Sequence, residues 1–401
     1  MKLFKSAAKP VAVARELLPT PFFDKLDAVS LVKNWHEWNG YLVADVVEAV
    51  GKEYFAIRNQ STLFDISPMC KYRVKGPDAL RVMNRLVIRD VAKIGVGRVG
   101  YAMWCDEEGM VIDDGTVFRY GDDEFMLLCQ EHMFTWLHDC AWGFDVSITD
   151  ETHNFCGLAL QGPTSFSVLK EAGLESVADM KPFDLREIEP GLWISRTGYT
   201  GDLGYELFTD SQYAHQLWDR LWGAGHKLWG LIPIGFDALE IARLEVGFLA
   251  PGLDFQPVHV VSRINRGRTP FELGFGRLVN FEKGHFNGRR ALLKHRDEGC
   301  RYHLVRLDIE GKEPAKDAFI YSGRDKVVGH VTSAVWSPTA KRNIALAELE
   351  APYGGKVKNG LWAEIYVYKE GAWQRRQKKA VVVETPFFTN ARSRKTPPDL
   401  F

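Results

Sequence analysis

The chain has 401 residues, with Lys+Arg 51 against Asp+Glu 52, a formal charge of -1 at pH 7, 46% hydrophobic and 26% charged residues. This ordinary globular usage excludes a disordered, collagenous or low-complexity protein, and the balanced charge excludes a global pull on nucleic acid or anionic lipid. At this length one core stops growing, so two or three domains are expected.

Lys2, Lys5, Lys9 and Arg15 precede the first acid, Glu16. This is a faint trace of a transit peptide, but Pro10 and the short apolar run argue against a secretory signal. Residues 1–39 are therefore assigned to a leader and a first helix, and the protein to the cytoplasm. Farther on, Lys71-Tyr-Arg-Val is strand-like, Gly76-Pro-Asp opens a helix over 79–88, and strands follow at 99–105, 110–119 and 125–129. A helix with Met133, Phe134, Trp136 and Leu137 precedes strands at 144–148 and 156–160. Helices are expected at 164–173, 211–224 and 235–248, and strands at 192–196 and 204–208. The stretch 229–251 carries Asp237, Glu240, Arg243 and Glu245, too many charges for a bilayer span, so no membrane partner is expected. Beyond residue 300 the text is mostly β (303–309, 317–321, 326–335, 343–349, 361–368, 379–384), which suggests a separate small barrel. The fold class is α+β.

Cys70, Cys105, Cys129, Cys140, Cys156 and Cys300 include no C-x-x-C pair, and the histidines show no i, i+4 pair. The cysteines read as buried thiols in a reducing compartment, and no metal site is expected. No glycine-rich phosphate loop opens a helix. Two stretches are candidates for chemistry. In Ser195-Arg-Thr-Gly-Tyr-Thr-Gly-Asp-Leu-Gly-Tyr-Glu-Leu-Phe, three glycines in seven residues are interleaved with Tyr199, Tyr205 and Glu206. That density lets a backbone approach a flat ligand, with aromatics to stack on it and a carboxylate to accept two N–H bonds; a strained hairpin with a surface Glu accounts for the same residues. In Gly109-Met-Val-Ile-Asp-Asp-Gly, side chains alternate between faces, so at most one of Asp113 and Asp114 enters a pocket; a strand-end turn at Asp114-Gly115 is the plainer account. Arg263, Arg266 and Arg268 precede Thr269-Pro-Phe and could grip a carboxylate or stand solvated.

Nine stretches in register resemble the aminomethyltransferase superfamily, the T-protein of glycine cleavage and its folate-dependent relatives. They are Leu63-Phe-Asp-Ile-Ser, Val74-Lys-Gly-Pro-Asp-Ala, Val111-Ile-Asp-Asp, Leu160-Gln-Gly-Pro, Ser195 to Leu207, Ala242-Arg-Leu-Glu, Pro270-Phe-Glu-Leu-Gly, Gly288-Arg-Arg-Ala-Leu, and Val331-Thr-Ser-Ala-Val-Trp-Ser-Pro to Ile344-Ala-Leu-Ala. The resemblance implies a three-domain cloverleaf with a central folate channel and a C-terminal β-barrel: a folate-binding region of two α+β domains over 40–285 and a barrel over 300–390. It implies tetrahydrofolate as cofactor, Asp114 as the catalytic aspartate, Glu206 on the pterin edge, and Tyr101, Tyr199 and Arg243 beside the folate.

Departures from the T-protein pattern cluster at the donor end. Its Phe-x-Gly-Trp-Glu-Met-Pro is Trp38-Asn-Gly-Tyr-Leu-Val-Ala, its histidine in Asp-Val-Ser-His-Met is Pro68, a folate-contacting arginine is Leu239, a tryptophan is Arg277, a tyrosine is Pro251, and an insertion between Asp254 and Pro270 carries the three arginines. The expected function is therefore a demethylase moving a methyl group from a small sulfonio, N-methyl or O-methyl acid to N5 of tetrahydrofolate. Tyr41, Arg263, Arg266, Arg268 and Arg277 are candidate substrate contacts, and a lipoyl carrier protein is not expected as partner. The alternatives are aminomethyl transfer yielding 5,10-methylenetetrahydrofolate, and folate binding without turnover.

Overall fold

The computed structural model describes residues 16–400 apart from Arg324 and the Ile264 side chain. The leader reading for residues 1–15 lies outside the described residues. A six-stranded sheet takes the order Leu185–Glu189, Leu192–Ser195, Gly204–Asp210, Phe155–Gln161, Thr62–Asp65, Ile232–Pro233. Both of its faces are covered, which is why its central strands read as nearly unbroken apolar runs. Leu158, Leu160, Ile194, Tyr205 and Leu207 pack under the helices Ser165–Glu171 and Ala214–Trp229, while Phe64, Ala159 and Phe208 face the other way.

Between Asp65 and Phe155 the chain leaves this sheet and builds a five-stranded one, ordered Arg98–Cys105, Val111–Arg119, Glu124–Cys129, Cys70–Lys75, Ser147–Asp150. Its inner core contains Tyr72, Val74, Trp104, Val117 and Phe125 around the helix Ala79–Leu86. The two α+β units are thus nested, the second inserted into the first. Their sheets meet at an apolar seam in which the Phe118 and Phe208 rings pack edge-on, 5.4 Å apart.

The last unit is a closed six-stranded barrel, Tyr302–Ile309, Arg342–Glu350, Lys326–Ser337, Phe319–Ser322, Leu361–Lys369 and Ala372–Val383. Closure leaves no open sheet edge. The tail after it returns to the first unit: Arg392 pairs with Asp202 at 2.6 Å, and the Arg58 guanidinium lies 3.9 Å over the Phe388 ring. The barrel thus has a strap beyond residue 390.

The structure moves several expected boundaries. A division at residue 39 would cut a hairpin, since Asn34–Trp38 pairs with Tyr41–Val46, and Phe22 and Leu26 already belong to the first core. The helices Val50–Asn59 and Arg289–Glu298 were missed; the second buries only Leu292, so its apolar signal is weak. The final strand begins at Ala372, seven residues before the expected start, because Gln374 to Lys379 alternate on a largely exposed face. The stretch 229–251 is broken by the short strand Ile232–Pro233 before the helix Phe236–Val246, and no described helix is long and apolar enough to cross a membrane.

Candidate active site between two sheets

Cross-strand partners share a sheet face. Asp114 sits opposite Met103, and Thr116 opposite Tyr101. Tyr101, Asp114 and Phe118 therefore share the face turned toward the first sheet, while Asp113 lies opposite Trp104 on the face turned inward. On the first sheet Tyr205 points into the helix-covered core, so Glu206 and Phe208 point toward the second. Strand rise puts Asp114 roughly 13 Å, and Glu206 roughly 7 Å, from the Phe118–Phe208 seam. Asp114 and Glu206 thus occupy the facing walls of one inter-sheet space.

The Tyr101 hydroxyl donates to Asp114 Oδ2 at 2.6 Å, and the Asp113 carboxylate accepts the backbone N–H groups of Asp114 (2.8 Å) and Glu131 (2.9 Å). Asp113 is the fixed member of the pair and aims the strand; Asp114 keeps accessible surface. Burial pushes the Asp114 carboxyl up to about 6, with Tyr101 opposing the shift and the Asp254 carboxylate adding to it. Both residues lie inside the strand Val111–Arg119, so the expected turn at Asp114-Gly115 is absent. Tyr199 stacks on Phe248 at 5.6 Å and 22°, its hydroxyl donating to the Leu249 carbonyl. Its neighbourhood overlaps that of Asp114, since, on top of burial, Asp114 and Asp254 raise its hydroxyl's titration and it in turn raises that of Tyr101.

Glu206 accepts from the Thr197 hydroxyl at 2.5 Å, Thr197 in turn lying 2.5 Å from the Ser195 hydroxyl. Burial raises its carboxyl above the usual range, and those hydroxyls oppose the shift. A carboxylate offers about four acceptor sites, so two hydroxyls leave capacity for N–H groups of a ligand. The glycine density beside it has an internal cause. A Cβ at Gly198 or Gly204 would fall 1.9 or 2.2 Å from Gln161 Oε1, and Gln161 Nε2 ties together the carbonyls of Thr197 (3.1 Å) and Tyr205 (3.2 Å). These glycines make room for Gln161, and buried Tyr205 is core, so neither supplies a face for a ligand.

The other expected site residues separate. Arg243 is fully buried, and its donors go to Glu240 (2.7 Å), the Phe248 carbonyl (3.0 Å), Ser333 (2.9 Å) and Asp254, all within the protein. Arg268, 7% exposed, pairs with Glu348 and lies 4.0 Å over the Tyr302 ring. Tyr41, 5% exposed, is bonded to His153. Tyr41 is thus spent inside the fold, whereas Arg268, though paired, still lines a cavity. Arg263 and Arg266 are exposed and, together with Arg268, line a cavity of about 580 Å³ between the insertion and the barrel, with Asp254 in its wall. Arg277 stands exposed in a short 3-10 turn.

Sequence reading missed Asp254, which is fully buried and held by Thr332 (2.8 Å), Ser333 (2.8 Å), the Ala250 N–H (2.9 Å) and Arg243. Nothing local marks it, because the two hydroxyls on its Oδ1 come from the barrel. All six cysteines are free. Among the described residues no group of three His, Cys, Asp or Glu could hold a metal ion.

The GCVT N-terminal domain family matches residues 13–283, and the Glycine cleavage T-protein C-terminal barrel domain matches residues 303–389. The chain is 34% identical over 319 residues to an aminomethyltransferase of Halothermothrix orenii, covering 77% of this chain and 86% of that one. It is 30% identical over 351 residues to an aminomethyltransferase of Thermoanaerobacter pseudethanolicus, covering 84% and 90%. Its fold matches that of the glycine cleavage system aminomethyltransferase T from Bartonella henselae with a TM-score of 0.81, at 24% identity over 93% of this chain and 98% of that one. By the match to most of its length and by these relatives, the chain belongs to the glycine cleavage T-protein family of aminomethyltransferases.

Proposed function

We propose that the chain transfers a one-carbon unit to tetrahydrofolate and that the unit arrives as an aminomethyl group, giving 5,10-methylenetetrahydrofolate and ammonia. The observation that carries the transfer is the accessible Asp114 carboxylate, held by Tyr101 and facing Glu206 across one inter-sheet space. Curated relatives across most of the chain are named aminomethyltransferases. Their names shift the preference from the demethylase expected above to aminomethyl transfer, and a carrier-borne donor becomes the first partner to test.

Glu206, with acceptor capacity left over, is suited to the N–H edge of a pterin, and the accessible faces of Tyr101 and Tyr199 to its ring. Bound tetrahydrofolate supplies N5, the nucleophile that takes up the carbon. Asp114 is ionised at neutral pH and acts by charge, stabilising positive charge at the transferring carbon as the donor's leaving group departs. Asp113 holds the backbone of Asp114, so this charge needs no reorganisation during transfer.

One observation favours methyl transfer as a second reading: Leu239, 7% exposed, offers no charge where the T-protein pattern has an arginine. Single-turnover product analysis with each donor class decides between them. Methylenetetrahydrofolate with ammonia supports the main reading, 5-methyltetrahydrofolate the second, and neither product with intact folate binding would leave only a binding protein.

A further inference from the structure

A second cavity, about 280 Å³, lies along the edge strand Arg98–Cys105, with Tyr101 among its lining residues. The charged residues lining it are all cationic: Arg89, Lys93 and Arg98. Two of them are engaged. Arg98 pairs with Asp184, and Lys93 lies 3.8 Å from Asp90. Arg89 differs. It is half-buried, its Nη1 donates to the Tyr101 carbonyl at 2.6 Å, and among the described residues no carboxylate comes within ion-pair distance of it. Lys283 lies behind it, its amine held by the carbonyls of Asn84 and Arg89 at 2.7 Å and by that of Val87, and burial, with the Arg89 charge adding to it, pushes that amine down to about 7.

A half-buried guanidinium that has given up water for one carbonyl retains strong donor capacity, and its planar fork matches a carboxylate. A single residue joins this cation to the reacting centre: Arg89 grips the backbone of Tyr101, whose side chain grips Asp114. We infer that Arg89 is a binding residue for a carboxylate group, which it seats in the cavity floored by Tyr101 so that the molecule bearing it points its other end toward Asp114. The inference rests on the one-carbon reading above and narrows its ligands to carboxylic acids. Two sources carry that chemistry: the glutamate of tetrahydrofolate, and the acid group of a small methylated donor.

The test is anaerobic titration of the full-length protein, wild type and Arg89→Gln, with tetrahydrofolate, with tetrahydropteroate, which lacks the glutamate, and with dimethylglycine and dimethylsulfoniopropionate as short-acid probes. Losing a charge-assisted bond weakens binding about tenfold or more. A loss for tetrahydrofolate with tetrahydropteroate unchanged assigns the site to the glutamate. A loss for a short acid with both folates unchanged assigns it to the donor. Arg89→Lys restores part of the affinity in either case, while an Arg89 that merely braces Tyr101 would weaken tetrahydropteroate as well. Equal affinity of wild type and Arg89→Gln for every probe, or equal weakening for all, overturns the inference. Failure of wild type to bind tetrahydropteroate would instead remove the folate reading, and the short-acid comparison would still judge Arg89.

Discussion

Two regions of the molecule bury carboxylates beside cations or hydroxyls, and they do so differently. At the junction of the first unit with the barrel, Glu245 receives Arg58 at 2.6 Å, Tyr54 at 2.5 Å and Ser337 at 2.5 Å, and Asp254 is satisfied on both oxygens. Nothing is left over, and the charges fasten three stretches of chain that are distant in sequence. In the inter-sheet space, Asp114 has one hydroxyl donor and Glu206 a short hydroxyl relay, and both keep accessible surface. Full satisfaction marks a carboxylate spent on the fold; residual capacity marks one held for something else.

Breaking the junction tests the first half of this contrast. Glu245→Ala removes the close carboxylate of buried Arg58 and leaves it only Asp202, 3.8 Å away, and is expected to cost about 3 kcal/mol of stability, measured by denaturant unfolding. Asp114→Asn should lower single-turnover transfer by about 10²–10³ while folate still binds. Its effect on stability should have the opposite sign. The folded pKa of Asp114, about 6, lies above the unfolded value near 3.9, so ionisation costs stability that is lost as pH rises through this window. The Asn variant should therefore melt higher than wild type at pH 8, with the advantage gone near pH 4. Equal melting curves at both values would show that Asp114 is not strained by burial.

Glu206→Gln should weaken tetrahydrofolate binding about tenfold or more in calorimetry, because it removes a charged acceptor without changing shape. The smallest expected effect is a shift of profile. Transfer should fall as pH drops through about 6, and Tyr101→Phe should move that limb upward by about one unit, since the lost hydrogen bond favours the charged carboxylate. A limb that stays in place would sever Tyr101 from the titration of Asp114.

The periodic elements were legible in the text. The strand 204–208 and the helix 235–248 were placed to within two residues of Gly204–Asp210 and Phe236–Val246, since alternation and glycine punctuation are local properties. The face argument separating Asp113 from Asp114 was legible too, because a strand allows only two directions. The roles of Arg243 and Arg268 were not: both occur in or beside family-like motifs, yet their partners Ser333 and Glu348 come from the barrel. The glycines of the 195–208 stretch suggest room for a ligand, but at Gly198 and Gly204 the space belongs to Gln161, about forty residues away in sequence, and at Gly201 to Val246.

By itself, then, the sequence determined the α+β alternation, the β-rich end and the residues able to carry charge at the site, because these follow from side-chain period and type. Only the tertiary structure decided which charges are spent and which are free, since that depends on partners from 65 to 155 and from 302 to 383 folding back on a sheet begun at residue 62. It is the packing of Phe118 against Phe208 that turns two ordinary strands, carrying Asp114 and Glu206, into facing walls of one site.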